Sequence, residues 1–273
     1  VSYDYKCLIS RPFFYKHCNG IFIYMKKILI LQFRVREKTF IEERVSFMKV
    51  LSKLPVQVVF KNAFLDALDW SKPIDILEDS QAVILGGSGE YDFDGGRKHD
   101  DEIRNASHDL VEHMSPFLTY LEDYDFPTLA ICFGHQILAK SCGVSVINDK
   151  TQSKVGSHSV SLTDEAKNDR LFEGIPSNFI AQYGHKDSLS ALPSGGTLLA
   201  QGEQCFFSAI RFGRNRYSLQ FHPELDASDV LQKFISHPDY LPPGLTPHEL
   251  VQESPYSTQI LINFVNKVSK NLI

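Results

Sequence analysis

The stretch TLAICFGHQILAK, residues 128–140, decides the fold. Its first half is a short apolar run, as expected of a strand buried on both faces of a parallel sheet. Its second half takes up a helical pattern. Between them stands Cys132, with Gly134 allowing a tight turn. A strand that ends in a cysteine and turns at once into a helix is the thiol form of the nucleophile elbow. That geometry pushes the side chain into the open. The helix start behind it supplies partial positive charge, which favours the thiolate of a cysteine placed there. A lone cysteine is more often an inert core residue. An inert core has no need of both the glycine and the polar pair His135–Gln136.

Outward from this stretch, strands and helices alternate. KKILILQF (26–33), VQVVF (56–60) and SQAVILGG (80–87) read as buried strands, and residues 38–53 and 107–123 as helices. The first helix takes its apolar positions from Phe40, Val45, Phe47, Met48 and Leu51; the second takes them from Leu110, Val111, Met114, Leu118 and Leu121. Alternation of this kind predicts a doubly wound α/β fold with a mostly parallel central sheet flanked by helices. The second half changes texture. Residues 154–163, 179–186, 197–202, 207–212 and 216–224 are short strand-like segments at close spacing, which predicts antiparallel strands added to that sheet. Residues 225–255 read as loop with one short helix, and residues 257–272 as a closing helix.

Composition narrows the class. The 273 residues are 43% hydrophobic and 22% charged, enough to fill the core of a single large globular domain. A net charge of −5 disfavours a nucleic-acid partner. No apolar run approaches the ~18 residues of a membrane span, so no membrane partner is expected. Five scattered cysteines without a C-x-x-C pair argue against a disulfide scaffold and fit a reducing, cytoplasmic setting. Met25 is read as opening the working domain, 25–273. Residues 1–24 are read as a peripheral extension, since they lack the apolar core and cleavage site of a signal peptide.

A cysteine nucleophile needs a base, and the base needs an orienting group. LQFHPEL (219–225) offers both, with His222 after a strand-like run and Glu224 two residues on. ILGGSGE (84–90) ends the third strand beside the cysteine strand, if neighbouring strands pair in order. The amides of Gly87 and Phe133 are then candidate oxyanion donors. It is neither a phosphate loop, lacking G-K-[ST], nor a serine elbow, since Glu90 stands where G-x-S-x-G needs glycine. His99, Asp100, Asp101, His108 and His113 form an acidic–histidine cluster, but His108 and His113 are five apart rather than four. A solvated helix face is expected there, and no metal site. The loop 90–102 has the length, glycines and charge of a mobile lid, and equally of solvated filler.

Three motifs in order carry a resemblance: GGSG at 86–89, ICFGHQ at 131–136 and FHPE at 221–224. Together they resemble the class I, triad-type glutamine amidotransferases, nearest in texture to the amidotransferase domain of GMP synthase and its free-standing relatives. The likeness runs from about Met25 to the end. It implies a flavodoxin-like fold and no cofactor. It implies Cys132 as nucleophile, His222 as general base and acid, Glu224 as orienting carboxylate, and Gly87 and Phe133 at the oxyanion positions. It further implies substrate contacts from Gln136 and from the Gly184–His185–Lys186–Asp187 segment. Two positions depart from the pattern: Ala130 replaces the usual glycine two residues before the nucleophile, and Ser88 the proline common after the glycine pair. Neither removes a catalytic atom. The implied substrate is glutamine or a γ-glutamyl compound. No S-G-G-x-D-S signature of an ATP-pyrophosphatase is present. The resemblance therefore leaves two outcomes: a separate synthetase subunit that takes the ammonia, or a stand-alone γ-glutamyl peptide hydrolase. A cysteine peptidase or chaperone-like protein of the same broad fold, and a catalytically silent regulatory subunit, stay open as other classes.

Overall fold

β1 (Lys26–Gln32) shows why the sheet lies at the centre of the molecule. In the computed structural model, which describes residues 25–236, 241 and 244–269, Ile28 and Ile30 face one hydrophobic cluster and Leu29 and Leu31 another. All four are fully buried. Successive side chains of a strand point to opposite faces, so a strand apolar at every position must be covered on both sides. The proposed extension at 1–24, with Cys7 and Cys18, lies outside the described residues.

α1 (Glu37–Leu51) crosses over to β2 (Val56–Asn62), and a short helix, α2 (Pro73–Leu77), leads into β3 (Ala82–Leu85). α3 (Glu102–His113) and α4 (Ser115–Asp123) precede β4 (Thr128–Ile131), which runs into α5 (Phe133–Ser141). Next come β5 (Val146–Ile147), β6 (Lys154–Leu162), β7 (Asn178–His185), β8 (Ser188–Leu189), β9 (Gly196–Gln201), β10 (Ala209–Phe212) and β11 (Arg216–Leu219). α6 (Ala227–Ser236) and α7 (Pro255–Asn263) follow. The nine-stranded sheet runs β2-β1-β3-β4-β11-β10-β9-β6-β7. The first five strands pair in parallel. The last four are joined to them and to one another antiparallel. This is the expected doubly wound sheet with its antiparallel addition. Because β1 has β2 on one side and β3 on the other, a crevice opens at the carboxyl ends of β1, β3 and β4, where ligands bind in such folds.

Several expectations are corrected. The single helix over 107–123 is two helices. Pro116 has no amide hydrogen to donate and its ring crowds the carbonyl four residues back, so the chain breaks at Met114 and restarts with the proline in the first turn of α4. α3 also begins earlier than read, because Asp101 caps it by accepting from the amides of Ile103 and Arg104 at 3.0 and 3.2 Å. On α1, Val45 is 43% exposed while Glu43 is buried. The strand read over 216–224 stops at Leu219. The closing helix begins at Pro255 and passes into a π turn at Phe264–Val268. α2 and the small β5–β8 sheet had no clear sequence signal.

Candidate active site

Cys132 sits between β4 and α5 at φ +52°, ψ −101°. A side chain at that φ is strained, so the surroundings must hold it. Its amide donates to Leu219 O of β11 at 2.8 Å, and Gln136 N closes the first helical turn onto its carbonyl at 3.1 Å. Gly134 N donates to Gly86 O at 3.1 Å, which ties the elbow to the glycine turn after β3. Phe133 is clamped between Phe93, stacked at 5.0 Å, and Phe33, edge-on at 5.6 Å. As the first residue of α5, Phe133 has an amide with no acceptor within its own helix.

His222 and Glu224 come from the turn after β11. Cys132, His222 and Glu224 are 3%, 4% and 3% exposed. His222 Nδ1 lies 2.6 Å from Glu224 Oε1. A Cβ built on Gly87 would stand 2.9 Å from His222 Cε1 and 3.5 Å from Cys132 Cβ. One small point thus touches both imidazole and thiol-bearing carbon, and only a residue without a side chain fits between them. Burial disfavours the charged imidazole, but Glu224 and Cys132, by charge and hydrogen bonding, outweigh it and carry His222 up to about 9. Glu224 resists the upward push of burial and is held below the usual carboxylate range by His222. A raised histidine stabilises the fold below its ordinary range near 6.5, and that contribution is lost as pH climbs through about 9. Glu224→Gln removes the largest of the raising influences and should bring the His222 midpoint down from about 9. Following the His222 Cε1–H resonance against pH tests this, and an unshifted titration would refute the pairing.

The cleft over Cys132 holds about 500 Å³ of free space, including its open mouth. Ser88, Phe133, Gln136, Gly184 and His185 line it. Cys132 Sγ is 4.0 Å from Gly184 O. Gln136 donates from Nε2 to Asp187 O at 3.0 Å and to Gln220 Oε1 at 3.3 Å, so its position is fixed by the protein. His185 Nδ1 bonds to Asp187 O at 2.9 Å, and burial holds the ring down at about 4, hence neutral. His135 is also buried and lowered, to about 3; it bonds to Ser218 Oγ at 2.8 Å and does not line the cleft.

Three sequence expectations change here. The Gly87 N–H is already engaged: it donates to Glu43 Oε1 at 3.2 Å, a buried carboxylate being a strong acceptor. The stretch read as a mobile lid is anchored at its centre. The amides of Asp94 and Gly95 donate to the Asp187 carboxylate at 2.8 and 2.7 Å, and Phe93 is buried. His108 is half-buried rather than solvated, with Nε2 on Phe93 O at 3.1 Å. Ser88 has a use of its own, since its hydroxyl accepts from the amides of Glu90 and Tyr91, both at 3.1 Å. Sequence reading missed Arg34 and Glu43. Glu43 was detectable, lying three residues after Phe40 and four before Phe47 on the apolar stripe of α1.

A parallel α/β sheet with a cysteine elbow and a facing His–Glu pair defines a class of thiol enzymes that work by acyl transfer. The model of the glutamine amidotransferase class-I family matches residues 53–237. The chain belongs to that family, and so to the enzymes that hydrolyse glutamine. It is 29% identical over 154 residues to a glutamine-hydrolysing GMP synthase subunit of Archaeoglobus fulgidus, covering 56% of this chain and 71% of that one. It is 34% identical over 134 residues to GMP synthase of Thermosipho melanesiensis, covering 46% of this chain but 25% of the longer relative. Among solved structures, a glutamine amidotransferase from Thermotoga maritima superposes with a TM-score of 0.64 at 18% identity, over 91% of this chain and 100% of that one. A GMP synthase subunit structure from Thermoplasma acidophilum gives 0.60 at 21%, over 89% and 94%. Identities this low speak to fold. Among the described residues, no helix is long and apolar enough to cross a membrane.

Proposed function

We propose that this chain hydrolyses the side-chain amide of glutamine through Cys132, His222 and Glu224. The observation that carries the reading is the meeting of a strained, elbow-mounted thiol with a histidine whose other nitrogen is already committed to a carboxylate. Because Nδ1 is bound to Glu224, Nε2 is the ring atom available to move protons. The Sγ anion adds to the amide carbon, and the carbonyl electron pair moves to oxygen. The Phe133 amide receives that oxygen at the start of α5. On collapse the C–N bond breaks, His222 Nε2 gives its proton to the departing nitrogen, and ammonia leaves a γ-glutamyl thioester on Cys132. His222 then takes a proton from water, the hydroxide adds to the thioester carbon, the C–S bond breaks, and glutamate departs. Gln136, Gly184 and His185 wall the acyl group. No metal or cofactor enters these steps.

The described residues from 25 onward act as one amidotransferase domain, since a single sheet runs through both halves. The ammonia goes to a separate synthetase subunit, by likeness to the Archaeoglobus relative, whose name marks it as one subunit of GMP synthase. A free buried thiol suits cytoplasmic conditions. A turnover screen of free glutamine, γ-glutamyl dipeptides and glutathione-type conjugates tests the reading. Glutamine is expected to give the highest kcat/KM, with equal ammonia and glutamate. A clear preference for peptides would instead indicate a γ-glutamyl peptide hydrolase, and no cysteine-dependent turnover of any would overturn the enzymatic proposal.

A further inference from the structure

Behind the cysteine, away from the cleft, lie two buried charges that the mechanism above does not use. Arg34 follows the carboxyl end of β1, at the point where the sheet order reverses. Its Nε is 3.3 Å from Glu43 Oε1, and the two side chains are 11% and 2% exposed. Glu43 is fixed in turn by Gln32 Nε2 at 2.8 Å and by the Gly87 amide. A Cβ built on Gly87 would stand 3.5 Å from Arg34 Nη2 as well as 3.5 Å from Cys132 Cβ, and one on Gly89 would stand 3.6 Å from Nη1. The guanidinium therefore passes directly beneath the Gly86–Gly89 turn. Laid end to end, the two Gly87 distances put it within about 7 Å of Cys132 Cβ.

Burying a guanidinium is costly unless it is paired, and Glu43 supplies the pair. Burial opposes its charge, yet Glu43, with further help from Cys132 and Glu224, keeps Arg34 firmly protonated. Glu224 Oε2 is buried without a hydrogen-bond partner, and Glu224, Arg34, Glu43 and Lys233 line one small cavity behind the pair. The charged and titratable groups around the thiol and guanidinium are thus His222 and Glu224 from the turn after β11, His185 at the end of β7, Cys205 before β10, Glu43 on α1 and Lys233 on α6.

We propose that Arg34, clamped by Glu43, is a positioning residue: it braces the glycine turn against the elbow and sets a fixed positive charge behind Cys132 that favours the anion formed on sulfur and on the tetrahedral oxygen. This rests on Cys132 being the nucleophile. The competing reading is that Arg34 merely neutralises Glu43. On that reading, removing both charges together would leave the thiol unaffected.

The test uses the full chain. Iodoacetamide labelling of Cys132 at pH 7, read by mass spectrometry of its own peptide, is measured beside kcat and KM for glutamine. Arg34→Met/Glu43→Gln removes both charges, while the carboxamide placed at position 43 can still accept from the Gly87 amide. Labelling is expected to slow about tenfold, and kcat to fall about 100-fold with KM within about threefold. Arg34→Lys should recover most of the labelling rate. A double variant that melts like the wild type and labels at the wild-type rate would overturn the proposal, as would a folded Arg34→Lys that labels as slowly as the double variant. Wild-type protein inert toward glutamine, with labelling still slowed in the double variant, would sink the glutaminase reading and leave this one standing.

Discussion

Cys132→Ala is expected to abolish ammonia release from glutamine, lowering turnover by at least about 10⁴-fold. The size follows from the chemistry: without sulfur there is no covalent intermediate, and His222 has no proton to exchange with a nucleophile. The loss should not come from unfolding, because a small residue replaces a small one at a site 3% exposed. A companion variant separates catalysis from fold. At φ +52° any side chain costs roughly 1–3 kcal/mol that glycine does not. Cys132→Gly should therefore be equally dead yet melt higher than Cys132→Ala. A chain that gains stability when glycine replaces alanine at this position is holding backbone strain there, where the nucleophile is presented. Ammonia release and thermal unfolding, measured on wild type and both variants, check this. Residual cysteine-independent turnover in Cys132→Ala would defeat the assignment of the thiol.

The elbow was legible in the sequence because it is local. An apolar run, a cysteine and a glycine within seven residues specify strand, turn and helix without reference to the rest of the chain. The pairing of His222 with Glu224 was also legible, since the two stand only two positions apart and follow a strand. The contacts that organise the site from behind were not. Gly87 meets Glu43 across 44 residues, and nothing in either neighbourhood announces the other. Asp187 reaches the amides of Asp94 and Gly95 across more than 90 residues, so a loop that reads as free from its glycines and charges is in fact tethered. Helix boundaries failed where one residue overrode periodicity: the apolar spacing of 107–123 continues through Pro116, but the backbone does not. The close spacing of the later strands announced an antiparallel addition. Their order, with β9 between β10 and β6, depends on long connections that composition does not reveal.

Gly134→Ala is expected to be the most damaging single-methyl change near the site. Its backbone is not left-handed, so the argument is one of space. A Cβ there would lie 2.5 Å from Leu85 O, 2.8 Å from Leu85 Cβ and 3.0 Å from Leu85 C. These are the backbone and stem of a fully buried residue of β3, and no rotamer change relieves the clash. Relief requires α5 to move away from β3. That motion strains the bond from Gly134 N to Gly86 O and loosens Phe133 between Phe33 and Phe93. Overpacking of this kind costs about 3 kcal/mol, or roughly 6–12 °C in Tm for a chain of this size. Activity should fall about 100-fold in whatever remains folded, because a shift near 1 Å at the elbow misaims the thiol. Gly143→Ala is the control. Its φ of +82° makes alanine strained, but nothing lies within 4 Å of the added carbon. It should cost about 1 kcal/mol and leave turnover untouched, having only the loss of glycine in common with Gly134→Ala. If both variants melt alike and hydrolyse glutamine alike, the contact between α5 and β3 is not what aims Cys132.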